Sequence, residues 1–362
     1  EAAALASTPY GELLRSSSPR LSMARRVPVG VVGVISPFNV PTILSIRAVA
    51  PALALGNAVI LKPDPRTSVA GGAVLAEIFR AAGLPDGVLH VLPGGVETGE
   101  ALVAAPRVPV ISFTGSTRGG RAVAALGAQH LKRVHLELGG NSALLVLDDV
   151  DVDAASSVGA WGSFAHQGQV CMTTGRHLVL SSCADDYASA LPARADHLPV
   201  GDPTTGHVAL GPVIDAGQRD KIHGMVTSTV DAGARLAAGG TYEDLFYRPT
   251  VLDSVPLDSA AYREEVFGPV APVVRVDSVE QAIALANDSD YGLSLGILTT
   301  DVMRGLEIAE QIPTGLVHIN DQTINDEATI PFGGTGISGT GGRLGGPAAN
   351  IEAFTHTQWV TV

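Results

Sequence analysis

The sequence predicts an α/β protein built on parallel, doubly wound sheets, and two observations carry that reading. Short β-branched runs alternate with stretches of helical apolar spacing, and Gly, Pro or Asn punctuates the joints between them. The chain also has 362 residues, enough for two domains. It is 46% hydrophobic but only 4% aromatic, so the core is expected to consist of Ala, Val, Leu and Ile.

In order, 29–35 reads as a buried strand, 42–55 as a helix closed by Gly56-Asn57, and 58–61 as the next strand, which completes one βαβ unit. A helix over 68–82, capped by Gly83, leads to a strand at 88–92. A helix at 96–104 leads to a strand at 108–113, and a helix at 117–128 follows. The pattern breaks at Gly139-Gly140-Asn141, beyond which a second α/β domain is expected. Its strands are placed at 143–147, 177–180, 270–276 and 295–298, and its helices at 151–165 and 215–232. The strand 133–138 lies at the boundary, and the glycine-rich stretch 333–346 fits neither helix nor strand.

A net charge of −13, with no basic cluster beyond pairs such as Arg25-Arg26 and Lys132-Arg133, argues against a nucleic-acid partner. The longest apolar run, 48–61, is broken by Pro51, Gly56 and Asn57, so no membrane segment is expected. Two cysteines in so long a chain, with no signal-like N-terminus, point to a reducing, cytoplasmic setting. No metal site is expected.

The chemistry is concentrated at Cys171, in Gly-Gln-Val-Cys, and at Glu137, in Glu-Leu-Gly-Gly. A thiol nucleophile and a carboxylate base are the minimum needed to make and then hydrolyse a thioester. A lone cysteine is more often a small apolar filler and a glutamate more often a solvated surface group. Gly168 and Gly175 around Cys171 nevertheless allow close ligand approach, and Leu136 and Leu138 flank Glu137 so that a partly desolvated carboxylate with a raised pKa is expected. Cys183 has no such surroundings and reads as structural. Asn39, in Pro-Phe-Asn-Val-Pro, would by default be a turn residue. The turn Thr114-Gly115-Ser116 opens a helix whose first N–H groups can receive a pyrophosphate, although no G-x-G-x-x-G follows the first strand.

Seven strings in order resemble the aldehyde dehydrogenase superfamily over essentially the whole chain: Ser-Pro-Phe-Asn at 36–39, Leu-Lys-Pro at 61–63, Phe-Thr-Gly-Ser-Thr at 113–117, Glu-Leu-Gly-Gly at 137–140, Gly-Gln-Val-Cys at 168–171, Glu-Glu-Val-Phe-Gly-Pro at 264–269 and Pro-Phe-Gly-Gly at 331–334. The strings at 16–20 and 62–67 most resemble the benzaldehyde dehydrogenase branch. The resemblance implies a modified Rossmann cofactor domain, an α/β catalytic domain and a small oligomerisation element. It implies that Cys171 attacks the aldehyde, that Asn39 and the Cys171 N–H hold the oxyanion, and that Glu137 activates the hydrolytic water. It further implies that Ser36, Pro37, Phe38, Lys62, Thr114, Gly115, Ser116, Glu265 and Phe267 hold NAD, with NADP permitted. Pro65 stands where many NAD-preferring relatives carry a glutamate, and Arg66 is either a 2′-phosphate partner or a solvent-facing loop residue.

The same resemblance divides the chain into a partial N-terminal and oligomerisation segment (1–28), the cofactor domain (29–138), the catalytic domain (139–330) and a return segment with an oligomerisation strand (331–362). It implies that the chain begins partway into the family pattern and that it forms a dimer or tetramer. Candidate substrate-facing positions are Val40, Leu44, Arg47, Phe164, Val170, Met172 and the loop 320–329. Arg47 is placed to pair either with an acidic substituent or with an acid near Asp326. The activity implied is oxidation of an aldehyde, aromatic as in benzaldehyde, to its acid. Two alternatives stay open: non-redox thioester or ester hydrolysis, and an inactive truncated structural subunit.

Overall fold

The structure, a computed structural model, describes residues 1–7 and 11–362. They divide into two compact units. One comprises 1–138, 326–333 and 339–362, and the other 139–325 and 334–338. Residues 8–10, within the expected 1–28 segment, lie outside the described residues.

The first unit holds a five-stranded parallel sheet in the order Leu89–Val91, Ala58–Lys62, Val31–Ile35, Val110–Thr114, Arg133–Glu137. Its central strands are apolar on both faces because helices cover both, as parallel sheets require. Val32, Val59, Leu61 and Ile111 are fully buried. Gly33 is forced by packing, since a Cβ there would stand 2.8 Å from Ile111 Cδ1. Strand Val31–Ile35 has the next strand on one side and Val110–Thr114 on the other. The order therefore reverses at its carboxyl end, the switch point where α/β sheets bind ligands.

The helix expected over 68–82 is a 3₁₀ turn Pro65–Thr67, a π-helical turn Val69–Ala73 and an α-helix Val74–Ala81. Gly71 and Gly72 pack against Pro41, Pro63 and Val91 so tightly that side chains would collide, and the widened turn accommodates that approach. The C-terminal stretch is also split. Helix Pro347–Phe354 precedes strand Thr355–Thr361, which pairs antiparallel with Ser22–Pro28 at the edge of a three-stranded sheet.

The second unit is built on a seven-stranded sheet in the order Arg235–Ala238, Thr250–Asp253, Val270–Val276, Thr174–Leu180, Ser142–Val146, Ser294–Leu298, Leu316–Ile319. Every neighbouring pair is parallel except the first. Helices Val152–Phe164 and Ser181–His197 pack beside it, with Phe164, Tyr187 and Leu191 in the core. Sequence patterning does not single out Ser181–His197, because its apolar positions are mostly Ala and Pro192 lies within it. The short strands Thr250–Asp253 and Leu316–Ile319 offer only four residues each. Among the described residues, no helix is long and apolar enough to cross a membrane.

Truncating fully buried Leu144 to Ala is expected to cost about 2–5 kcal/mol in urea unfolding. Leu131 is 94% exposed at φ 53°, just past helix Thr117–Gln129. Leu131→Gly, which removes a Cβ from the left-handed residue just after the His130 C-cap, is expected to stabilise the protein by up to about 1 kcal/mol in the same assay.

Candidate active site

In the first unit, the carboxyl ends of the parallel strands carry the residues singled out from sequence. Ser36 follows strand Val31–Ile35, donating its N–H to the Lys62 carbonyl (3.1 Å) and sharing a 2.7 Å hydroxyl bond with Ser45. Phe38 is half-buried and Asn39 is buried, just ahead of helix Pro41–Ala54. Lys62 ends its strand and is buried, and desolvation pushes its ammonium pKa down although the Asp64 and Glu97 charges oppose this.

Arg66 is tied to Asp64 by two side-chain bonds, Nε to Oδ1 at 2.9 Å and Nη2 to Oδ2 at 2.8 Å, and its guanidinium lies 4.5 Å from the Phe38 ring centroid. Burial alone would raise the Asp64 carboxyl, but hydrogen bonds and charge from Arg66 outweigh it and hold the group below its ordinary value. This arginine is paired to Asp64 with its side chain 41% exposed, as expected of a solvent-facing loop residue.

Ser116 caps helix Thr117–Gln129, its Oγ accepting from the Gly119 N–H (3.2 Å). Gly115 lets the Phe113 ring close over this turn, since a Cβ would stand 2.7 Å from Phe113 Cζ. The Gly115 N–H donates to the Glu137 carbonyl (3.0 Å), and Thr114 stands opposite Glu137 in the sheet. Glu137 is only 5% exposed, so the expected enclosure of its carboxylate is present. Gly333, of Pro-Phe-Gly-Gly, packs between backbone and this carboxylate: a Cβ at 333 would stand 2.5 Å from the Gly342 carbonyl oxygen and 2.9 Å from Glu137 Oε1. Arg47 pairs with Asp326 and lies 4.8 Å from the Phe332 ring centroid, so the neighbouring acid is the partner the structure provides.

In the second unit, Cys171 follows an unusual turn. His166, Gln167 and Gly168 have φ of 53°, 58° and 63°, three consecutive left-handed residues. Such backbone is costly for non-glycine residues and persists where the surroundings over-determine it. Those surroundings are backbone: a Cβ at Gly168 would collide with the Gly268 carbonyl, and one at Gly140 with the Cys171 carbonyl. Gln169 Oε1 accepts from the Ile214 N–H (3.1 Å), while Thr173 closes the turn with its N–H to the Val170 carbonyl (2.9 Å) and its hydroxyl to the Gly168 carbonyl (3.0 Å). Phe164, Val170 and Met172, all named as candidate substrate-facing positions, are buried. Cys183 is buried and bonded to the Leu147 and Leu180 carbonyls, in keeping with a structural role.

Glu265 accepts from the Gly140 N–H at 3.0 Å, and its carboxylate so closely faces Gly139 that a Cβ there would overlap it. Lys221 Nζ donates to its main-chain carbonyl (2.9 Å). Phe267 takes a left-handed φ of 54°, its carbonyl accepting from Gln218 Nε2 (2.9 Å). The three motifs around Gly139-Gly140, Cys171 and Glu265 thus meet in this unit. Gln218, which bonds the Val266 and Phe267 carbonyls, and Ser163, which bonds the Thr174 carbonyl, support these segments and are not singled out by the sequence. The signal for Ser163 is a hydroxyl within the otherwise apolar run 160–165, whereas Gln218, in Ala-Gly-Gln-Arg-Asp-Lys, carries none.

Burial raises the Glu265 carboxyl to about 7, against the Gly140 hydrogen bond and the Lys221 charge. A raised carboxyl contributes stability that is fully present below its unfolded pKa and is lost as pH rises through about 7. Glu265→Gln is therefore expected to gain stability relative to the parent between pH 4.5 and 8, read as a pH-dependent difference in denaturation midpoints. A difference constant with pH would refute the assignment.

The model of the aldehyde dehydrogenase family matches residues 1–360. The vanillin dehydrogenase of an Amycolatopsis species is 68% identical over 362 residues, covering all of this chain and 74% of that protein. The NAD(+)-dependent benzaldehyde dehydrogenase of Pseudomonas putida is 54% identical over 363 residues, with the same coverage of both chains. A crystal structure of the salicylaldehyde dehydrogenase of Pseudomonas putida G7 complexed with salicylaldehyde superposes with a TM-score of 0.96 at 40% identity, over all of this chain and 75% of that one. On these matches, together with the motif geometry above, the chain belongs to the aldehyde dehydrogenase family, whose members are NAD(P)-dependent aldehyde oxidoreductases.

Proposed function

We propose that this chain oxidises benzaldehyde or a ring-substituted benzaldehyde to the corresponding acid, with Cys171 as nucleophile, Asn39 as oxyanion donor and Glu137 as base. The carrying observation is the Cys171 turn, a strained backbone held in place by Gly140 and Gly268. The names of the similar proteins, vanillin, benzaldehyde and salicylaldehyde dehydrogenases, support an aromatic substrate.

The first unit's residues fit a dinucleotide. Its switch point gathers Ser36, Pro37, Phe38, Lys62 and the capped turn Thr114-Gly115-Ser116, while Glu265 and Phe267 are assigned to the nicotinamide end. When bound, NAD(P) supplies the hydride acceptor. The Cys171 thiolate forms a bond to the aldehyde carbon, and the carbonyl π-electrons move onto oxygen. Asn39 Nδ2–H and the Cys171 N–H stabilise that oxyanion, whose collapse expels hydride and leaves a thioester. Glu137 then removes a proton from water as it attacks the thioester carbon, and the thiolate departs to release the acid.

We assign 29–138 to cofactor binding and 139–330 to catalysis. A cytoplasmic setting and a homodimer or homotetramer complete the proposal. Edge strand Thr355–Thr361, with Trp359 64% exposed, supports assembly, which light scattering tests.

Cys171→Ala is expected to abolish production of reduced nicotinamide from benzaldehyde; retained turnover would refute the nucleophile assignment. Asn39→Ala is expected to lower kcat by about 10²–10³-fold. Glu137→Gln is expected to give a single-turnover burst followed by a slow steady state, since acylation survives and hydrolysis does not. Absence of a burst would count against the base assignment.

A further inference from the structure

Behind Cys171 runs a chain of fully buried polar groups that the reaction above does not use. Ser163 Oγ donates to the Thr174 carbonyl (2.8 Å) and lies 2.7 Å from His177 Nε2, and His177 Nδ1 lies 2.8 Å from the Tyr187 hydroxyl. Ser163, Thr174, His177 and Tyr187 are all 0% exposed. Helix Val152–Phe164 leaves space for them, because a Cβ at Gly159 would overlap the Tyr187 hydroxyl and one at Gly162 the Thr174 hydroxyl.

The protons in this chain can be ordered by elimination. Ser163 spends its one O–H on the Thr174 carbonyl, so it accepts from His177 Nε2–H, and Nδ1 must then accept from Tyr187 O–H. Burial keeps the imidazole neutral, with its pKa pushed down to about 3, in agreement with a single ring proton. A second group of buried hydroxyls grips the same segment. Thr323 Oγ1 donates to the Met172 carbonyl (2.6 Å) and so accepts from Thr174 Oγ1 (2.8 Å). The carbonyls one and three residues after Cys171 are each held by a buried hydroxyl.

We propose that His177 is a positioning residue for Cys171: with Tyr187 behind it and Ser163 in front, the Nε2–H tautomer orients the Ser163 hydroxyl onto the Thr174 carbonyl and fixes the start of strand Thr174–Leu180, directly after the turn that carries the thiol. This rests on Cys171 being the nucleophile. Because His177 touches neither substrate nor cofactor, its loss acts on kcat and leaves KM in place. Neutral Nε2–H imidazole has a close substitute in glutamine, whose amide offers one donor and one acceptor, and none in leucine.

The test compares His177→Gln, His177→Leu and Tyr187→Phe with Val251→Ala, a fully buried truncation two strands away. In steady-state oxidation of benzaldehyde, His177→Leu is expected to lose about tenfold or more in kcat with KM within about twofold, and His177→Gln to recover to within about threefold of the parent. Val251→Ala is expected to lose stability and keep kcat. Should His177→Leu fail to fold, Tyr187→Phe, which removes one oxygen, is expected to lower kcat several-fold at unchanged KM. ¹⁵N NMR of labelled histidine supplies a signature independent of turnover: a neutral Nε2–H ring at pH 7 that vanishes in His177→Gln. An Nδ1–H or doubly protonated ring, equal kcat in His177→Gln and His177→Leu, or a kcat in Tyr187→Phe matching that of the parent would overturn the proposal. Active Cys171→Ala protein would overturn the nucleophile reading instead, so the two failures are distinguishable.

Discussion

Close approach of chain segments at glycines is the constraint on which the second unit's arrangement around Cys171 depends. Gly140 lies against the Cys171 carbonyl, Gly168 against the Gly268 carbonyl and Gly139 against the Glu265 carboxylate, each with no room for a Cβ. A side chain at any of them would part segments that must touch. Glycine supplies both the missing volume and, at Gly168, the left-handed φ. His166, Gln167 and Phe267 adopt left-handed backbone without that excuse, so their neighbours must hold them there. Gln169 and Gln218 do part of this by bonding to main-chain groups of segments remote in sequence.

In the first unit the organising constraint is the parallel sheet. Every strand leaves at the same edge, so loops from distant parts of the chain gather at the carboxyl ends without specific attraction between them. Ser36, Lys62, Thr114 and Glu137 each stand at or just beyond the end of a strand. The helix dipole after Ser116 then adds positive potential at the same sheet edge as the buried Lys62, a combination suited to phosphates. The Asp64 to Arg66 clamp against Phe38 places a neutralised pair near that lysine, so the site is not simply cationic.

Buried polar groups form a third layer. Arg176, 3% exposed, donates to the Asn141 and Leu285 carbonyls and lies 5.6 Å from the Tyr262 ring centroid. His177 lies beside it in sequence, on the same strand. Satisfied networks of this kind specify a single arrangement, because any alternative leaves a desolvated donor or acceptor unmade.

The sequence by itself determined the alternation of strands and helices, the parallel character of the sheets and the resemblance to the family, since apolar periodicity and motif strings are local properties. Residue chemistry marked Cys171 and Glu137 as candidates and the family resemblance added Asn39, but neither accounted for Gly333 of Pro-Phe-Gly-Gly, whose close approach to the Gly342 carbonyl and the Glu137 carboxylate is seen only in the fold. Only the tertiary structure decided the broken helix at 65–81, the pairing of Arg47 with Asp326 and the chain from Tyr187 to Thr174. Each depends on groups brought together across long stretches of chain or on the space left between packed elements, and neither is encoded in the spacing of neighbouring residues.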